Sequence, residues 1–206
     1  GLKREVNKCL RTRRSMRRPQ GRTSLGRGRF PGMINISERP AQVEDRAVPG
    51  NWEGDLIIGA ENGSAIGTLV ERTTRFTMLL HLPGPHTALA VQHAIITKMS
   101  DLPALLRASL TWDQGKEMAR HNEIGIALDL QVYFCDPHSP WQRGTNENTN
   151  GLLRQYFPKH TDLSIHGPGI LDNVAAELNA RPRKTLDWAT PAEKFQALLS
   201  SPSAVA

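Results

Sequence analysis

Two runs rich in aliphatic and β-branched residues, 51–59 and 64–72, flank the dipeptide Asn62-Gly63. Asn-Gly is the pair that tight hairpin turns favour, because their central positions need positive φ. A third run, 76–82, stops at Pro83-Gly84-Pro85, so three antiparallel strands are expected in sequence order. The pattern then changes period. Ala88, Val91, Ile95 and Met99 recur at helical steps after Thr87, a residue suited to cap a helix N-terminus. Residues 109–113 read as a short buried strand ending in an acid, a helix starts within 116–121, and 130–135 is a fifth strand. A polar loop then leads to a helix over 170–180, with Leu171, Val174, Ala175 and Leu178 on one side, and to a last helix around 192–199. Three strands followed by alternating helices and strands imply an α/β fold, a mixed five-stranded sheet flanked by helices.

A chain of 206 residues is long enough for one substantial core and a small appendage. It has no run of about 18 apolar residues, and its basic start lacks the apolar stretch of a secretory signal. No membrane association is expected, and a cytoplasmic location is. Cys9 and Cys135 lie far apart, which argues against a disulfide framework. Cys135 and His138 form a C-x-x-H pair, but no second pair stands at zinc-finger spacing, so structural zinc is not expected.

Charge divides the chain. Residues 1–50 hold 13 Lys and Arg against 4 Asp and Glu, a net of +9, whereas 51–206 hold 13 against 16, a net of −3. We read 1–50 as a basic, largely disordered arm running into a proline-rich linker, with a short helical turn around 41–46. Residues 51–200 are the expected folded domain and 201–206 a disordered tail. Arm residues such as Arg13, Arg14, Arg17 and Arg18 suit either a phosphate backbone or a solvated linker, and composition leaves both readings open.

Residues 135–157 join a loop punctuated by Pro and Gly to a helix whose first turns carry Glu147. Arg154 follows Glu147 by seven positions, about 700° and within about 20° of two full turns, so acid and base share a face. Leu152, Leu153, Tyr156 and Phe157 supply apolar contact for that helix. Asp55 sits where the first strand's alternation calls for a core residue, and Asp113 ends the fourth strand. If those two strands are neighbours, the aspartates adjoin, and the helix after the fifth strand can carry Glu147 across them. Three such carboxylates repel one another unless some are protonated or a cation joins them. Hard oxygen ligands suit Mg²⁺ or Mn²⁺, and two ions about 4 Å apart, bridged by a central Asp55, suit in-line displacement at phosphorus.

Other chemistries fit less well. Aromatic content of 5% gives no sugar platform for a glycosidase, and no G-x-S-x-G elbow marks a serine hydrolase. Trp52, Trp112 and Trp141 are read as core or loop anchors rather than base-stacking groups. His138 and Arg143 either touch phosphate or order the loop, and Glu53 and Asp136 are read as bystanders.

The runs Trp52-Glu-Gly-Asp55-Leu-Ile-Ile-Gly, Thr111-Trp-Asp113-Gln-Gly-Lys-Glu-Met and Cys135-Asp-Pro-His-Ser-Pro-Trp-Gln-Arg-Gly-Thr-Asn-Glu147-Asn resemble the catalytic core of bacterial transposases of the insertion sequence 30 family. The 33 residues between Asp113 and Glu147 are similar to that family's Asp-Asp-Glu spacing. The resemblance spans about residues 36–195. It implies a ribonuclease H-like fold related to retroviral integrase cores, with Asp55, Asp113 and Glu147 as catalytic ligands of two Mg²⁺ or Mn²⁺ ions. It also implies a polynucleotidyl transferase that cuts DNA at element ends and joins it to target DNA. Arg154 matches a basic residue held to contact DNA near the scissile phosphate. Assembly as a homo-oligomer on DNA, near the bacterial nucleoid, is expected. Family members carry upstream helix-turn-helix regions, whereas this sequence opens in the basic linker. The alternative reading is a truncated, non-catalytic DNA-binding or regulatory fragment.

Overall fold

The Asn62-Gly63 signal is realised as a hairpin. In the computed structural model, which describes residues 30–43, 46–137 and 139–200, β2 (Asn51–Ile58) pairs antiparallel with β3 (Ala65–Glu71), Trp52 opposite Glu71 and Ile58 opposite Ala65. The connection is longer than a two-residue turn. Glu61 and Asn62 take left-handed backbone with φ of 49° and 60°, while Gly63 does not, at φ −80°. β4 (Thr77–Leu82) adds antiparallel to β3, and β5 (Ser109–Trp112) and β6 (Gln131–Phe134) add in parallel on the other side of β2.

All five expected strands are present, and there is a sixth. β1 (Ile34–Asn35) runs parallel to β6, giving the order β1-β6-β5-β2-β3-β4. This strand comes from the stretch read as a proline-rich linker, so the folded unit begins before residue 51. Ile36 and Val43 hold the stretch down by burial, and Asn35 caps the 3₁₀ turn Ile36–Glu38 while donating to Asp136 Oδ1 at 2.9 Å. The helical turn expected around 41–46 is a 3₁₀ turn, Ala41–Val43.

Among the described residues the α-helices are α1 (Ala88–Met99), α2 (His121–Leu128), α3 (Gly144–Leu153), α4 (Pro168–Asn179) and α5 (Pro191–Leu199). Thr87 caps α1 as expected, accepting from Ala90 N at 3.3 Å, and Thr190 and Glu193 form a capping box on α5. Among the described residues no helix is long and apolar enough to cross a membrane.

Strand alternation sorts two cores, one on each face of the sheet. Trp52, Leu69, Leu80, Leu110 and Trp112 pack against Val91, Ile95 and Ile124 of α1 and α2, with Phe195 of α5. Ile57, Ile66 and Leu79 face the other way, against Leu153, Phe157, Leu171 and Leu178. Gly54 is required by this packing, because a Cβ there would lie 2.0 Å from the Trp112 ring. Trp112 therefore lies flat on β2 and fixes the register of the two strands that carry the aspartates.

Trp52 and Trp112 are core anchors as expected, but Trp141 is 72% exposed. Its 3₁₀ turn, Pro140–Arg143, is pinned by the two residues that follow it. Gln142 bonds twice to Asp136, and Arg143 is buried, which turns Trp141 outward. His138, Arg13, Arg14, Arg17 and Arg18, together with residues 201–206, lie outside the described residues.

Candidate active site

Parallel pairing of β2 with β5 sets Glu53 against Thr111. Two residues further along each strand, on the same face, come Asp55 and Asp113. A single guanidinium joins them. Arg143, 8% exposed, approaches Asp55 Oδ1 with Nη1 at 3.3 Å and Asp113 Oδ2 with Nη2 at 3.8 Å, and donates to Gly54 O at 2.7 Å. Burial disfavours its charge, but the two aspartates outweigh that and hold it more basic than usual. Arg143 thus acts as the internal counter-ion of the pair.

Each aspartate is also fixed by amides. Asp55 Oδ1 accepts from Leu56 N at 2.9 Å and Oδ2 from Asn150 Nδ2 at 3.1 Å, while Asp113 Oδ1 accepts from Gly115 N at 3.1 Å. Burial raises the Asp55 carboxyl above its ordinary value; Arg143 opposes the shift and Asp113 adds to it. Because the folded value is raised, the stability penalty is absent below the ordinary aspartate value of 3.8, grows as pH rises through the raised value, and is complete above it. Asp55→Asn is therefore expected to melt above the parent protein at pH 7, by about 2–4 °C per kcal/mol relieved. The gap should close as the pH is lowered towards the ordinary aspartate value. Calorimetric scans at both pH values check this, and a variant that melts lower at neutral pH refutes it.

Glu147 stands exposed in the first turns of α3, three residues before Asn150. Residues at that spacing are neighbours on a helix surface, so Glu147 shares with Asn150 the side of α3 that meets Asp55. Among the described residues no three His, Cys, Asp or Glu side chains are gathered tightly enough to hold an ion. The structure joins two of the three expected acids through Arg143 and sets the third on the adjoining helix. A further acid, Glu117, lies next to Asp113; burial raises its carboxyl, Asp113 raises it further, and it accepts from Trp112 Nε1 at 3.2 Å.

Glu53 is no bystander. It is fully buried, pairs with Arg72 Nε at 3.1 Å and accepts from Asn146 N at 3.0 Å. Asn146 is in the first turn of α3, whose own N-cap residue, Arg143, makes no side-chain cap. A strand carboxylate thereby caps the helix in trans, the placement its dipole favours. Asn146 also donates to Glu53 O at 2.8 Å and accepts from Thr68 at 2.9 Å. Residues 53–55 are laced to 143–150 at every step. The signal was present in the period-2 row Glu53, Asp55, Ile57, which puts two acids on one inward face. Asp136, also read as a bystander, instead ties Asn35 and Gln142 into the loop.

Arg154 caps the end of α3, and its guanidinium donates to Ile58 O at 3.1 Å and Phe157 O at 3.4 Å. Burial lowers its pKa. Cys135 is buried and its thiol is pushed up to about 11, so it is no reactive nucleophile.

The integrase core domain family matches residues 45–140. The chain is 52% identical, over 98% of its length, to the transposase of insertion sequence element IS1086 from Cupriavidus metallidurans, covering 59% of that protein. It is 49% identical, over 89% of its length, to transposase InsI of element IS30A from Escherichia coli, covering 48% of that protein. The chain thus spans about half the length of the curated relatives it matches. Two solved structures share its fold. The catalytic core of BIV integrase has a TM-score of 0.53 at 17% identity, covering 72% of this chain and 95% of that one. A chain of the simian T-cell lymphotropic virus intasome in complex with PP2A regulatory subunit B56 gamma has a TM-score of 0.56 at 19% identity, covering 90% and 61%. The fold is ribonuclease H-like, and the chain is similar over most of its length to insertion-sequence transposases, that of IS30A among them.

Proposed function

We propose that this chain is the catalytic core of a DNA transposase, a metal-dependent polynucleotidyl transferase that cleaves DNA at insertion-sequence ends and transfers the freed 3′ end to target DNA. The observation that carries this reading is the pairing of Asp55 with Asp113 on adjacent parallel strands, with the helix of Glu147 fastened to the same strand. The donor set fits a hard divalent cation. It is all oxygen, and Asn150 Oδ1, on the amide that touches Asp55, is buried without a hydrogen-bond partner. Asp55, Asp113 and Glu147 would hold two Mg²⁺ or Mn²⁺ ions, whose chemistry when bound is to stabilise the charge that develops on the attacking and leaving oxygens at phosphorus.

The chain's own residues supply position and charge. Arg143 sets a positive charge between Asp55 and Asp113, and its reach is to a phosphate held at the pair. Arg154, anchored on two carbonyls, flanks the same helix. DNA contacts by His138 and by Arg13, Arg14, Arg17 and Arg18 belong to this reading, as do assembly into a homo-oligomer on DNA and a place at the bacterial nucleoid. So does the division into a basic arm within 1–50, a catalytic domain over 51–200 on which 34–43 dock, and a tail, 201–206.

Incubation of the chain with duplex carrying element ends tests the reading. Nicked and joined products are expected with Mg²⁺ or Mn²⁺ and none with a chelator. DNA binding without cleavage, together with no saturable Mn²⁺ heat in calorimetry, would favour a non-catalytic regulatory role instead.

A further inference from the structure

The stretch Arg181-Pro-Arg-Lys184 and the residue Trp188 take no part in the carboxylate site, yet the fold brings them to its border. Asn179, the last residue of α4, accepts from Thr77 N and donates to Thr77 O, both at 2.9 Å. The chain leaving α4 therefore starts two residues from Arg75. The Arg75 guanidinium in turn donates to Thr145 in the first turn of α3. Beyond Asn179, Arg183 Nη2 donates to Leu178 O at 3.2 Å. The turn after it is closed by Leu186 N to Arg183 O at 2.9 Å, Trp188 N to Arg183 O at 3.0 Å and Arg183 N to Ala189 O at 3.0 Å.

This turn is strained in a directed way. Asp187 and Trp188 are both left-handed, with φ of 54° and 65°, and so is Arg75 at 64°. Side chains disfavour that region, and such strain persists where the surroundings over-determine it, commonly at binding surfaces. The effect is to bury Leu186 as an anchor while Lys184 is exposed and Trp188 is 69% exposed.

Charge points the same way. Beyond the effect of burial, Arg46 and Arg183 both lower the pKa of Arg75 while Glu53 and Glu71 oppose them, and Arg181 lowers that of Arg183, so like charges crowd here. The neighbouring acids are already engaged. Glu53 holds Arg72 and Asn146, Glu71 accepts from Thr74 and from Gly50 N, and Glu177 is paired with Arg181. A row of cations beside an exposed aromatic, held in conformations the chain disfavours, fits a polyanion with apolar rings between its charges.

We propose that Arg75, Arg183, Lys184 and Trp188 form a docking surface for the sugar–phosphate backbone of duplex DNA on the flank of the reacting phosphate. The cations meet phosphates, and the Trp188 ring packs on a deoxyribose. This rests on DNA being the substrate, but it assigns a surface distinct from the carboxylates and from the arginine arm. Such contacts release counterions, so each lost contact reduces the slope of log K against log salt by about 0.9.

The test is fluorescence anisotropy of a labelled duplex with the full chain between about 50 and 200 mM salt. Lys184→Gln and Arg183→Gln are each expected to lower the slope by about 0.9 and the double variant by about 1.8. Arg183→Lys keeps the charge and should keep the slope, which separates a phosphate contact from a structural role. Trp188→Ala should weaken binding at every salt concentration without changing the slope. An unchanged slope in the exposed Lys184→Gln variant and in a double variant that melts like the parent overturns the proposal. Magnesium-dependent cleavage measured in parallel reports separately on catalysis, so loss of the catalytic reading leaves the binding result standing.

Discussion

Alanine at Asp55, Asp113 or Glu147 is expected to reduce strand cleavage and joining by about 10³-fold or more, the equivalent of roughly 4 kcal/mol of transition-state stabilisation. Both steps should fall together, because one constellation serves both. The cost in stability should be small, and for Asp55 of opposite sign, since a half-buried carboxylate next to Asp113 is a destabilising element of the fold. Activity and Tm are therefore expected to move independently, which distinguishes loss of a working group from loss of structure. Glu147 is the most exposed to refutation of the three. It is exposed on α3, and the helix that carries it sets its place beside the aspartates. Gel-based cleavage and joining assays on the three variants, with calorimetric Tm alongside, provide the measurement. Wild-type cleavage by Glu147→Ala would leave a two-aspartate site and remove the helix from the chemistry.

Most of the scaffold could be read from the sequence because it is written in local patterns. The period-2 runs, the Asn-Gly turn and the capping Thr87 each act within a few residues. The adjacency of Asp55 and Asp113 was legible only as a condition, that the first and fourth long strands pair, and β2 and β5 do. What stayed hidden depends on contacts across the chain. β1 exists because Ile34–Asn35 find an open edge on β6 about 100 positions away. Trp141 faces outward because its neighbours are tied down, Gln142 to Asp136 and the buried Arg143 to Gly54 and the aspartates. Arg143 itself reads in sequence as a basic loop residue, and only the fold reveals it as the cation between the two acids.

Glu53 is where such hidden contacts concentrate, and it carries the second large expected effect. Glu53→Ala takes the carboxylate from the buried Arg72, which also donates to Val43 O, and leaves Asn146 N without its acceptor. Removing one partner of a buried, hydrogen-bonded ion pair costs about 3–5 kcal/mol, a large share of the roughly 5–15 kcal/mol that holds a domain together. Urea unfolding should show that loss as a lowered midpoint. Glu53→Gln keeps an acceptor for Asn146 N but not the charge, so it should fall between parent and alanine; a loss below about 1 kcal/mol for alanine refutes the buried-pair account. The double replacement Glu53→Leu with Arg72→Met separates pair from cap. Apolar substitutes of similar volume commonly restore the stability of a broken buried pair, yet they supply no acceptor to the first turn of α3. The expected outcome is a protein that unfolds near the parental midpoint and still cleaves poorly, because Glu147 rides on the turn that Glu53 no longer caps. Recovery of both properties would show that the strand carboxylate serves the fold alone.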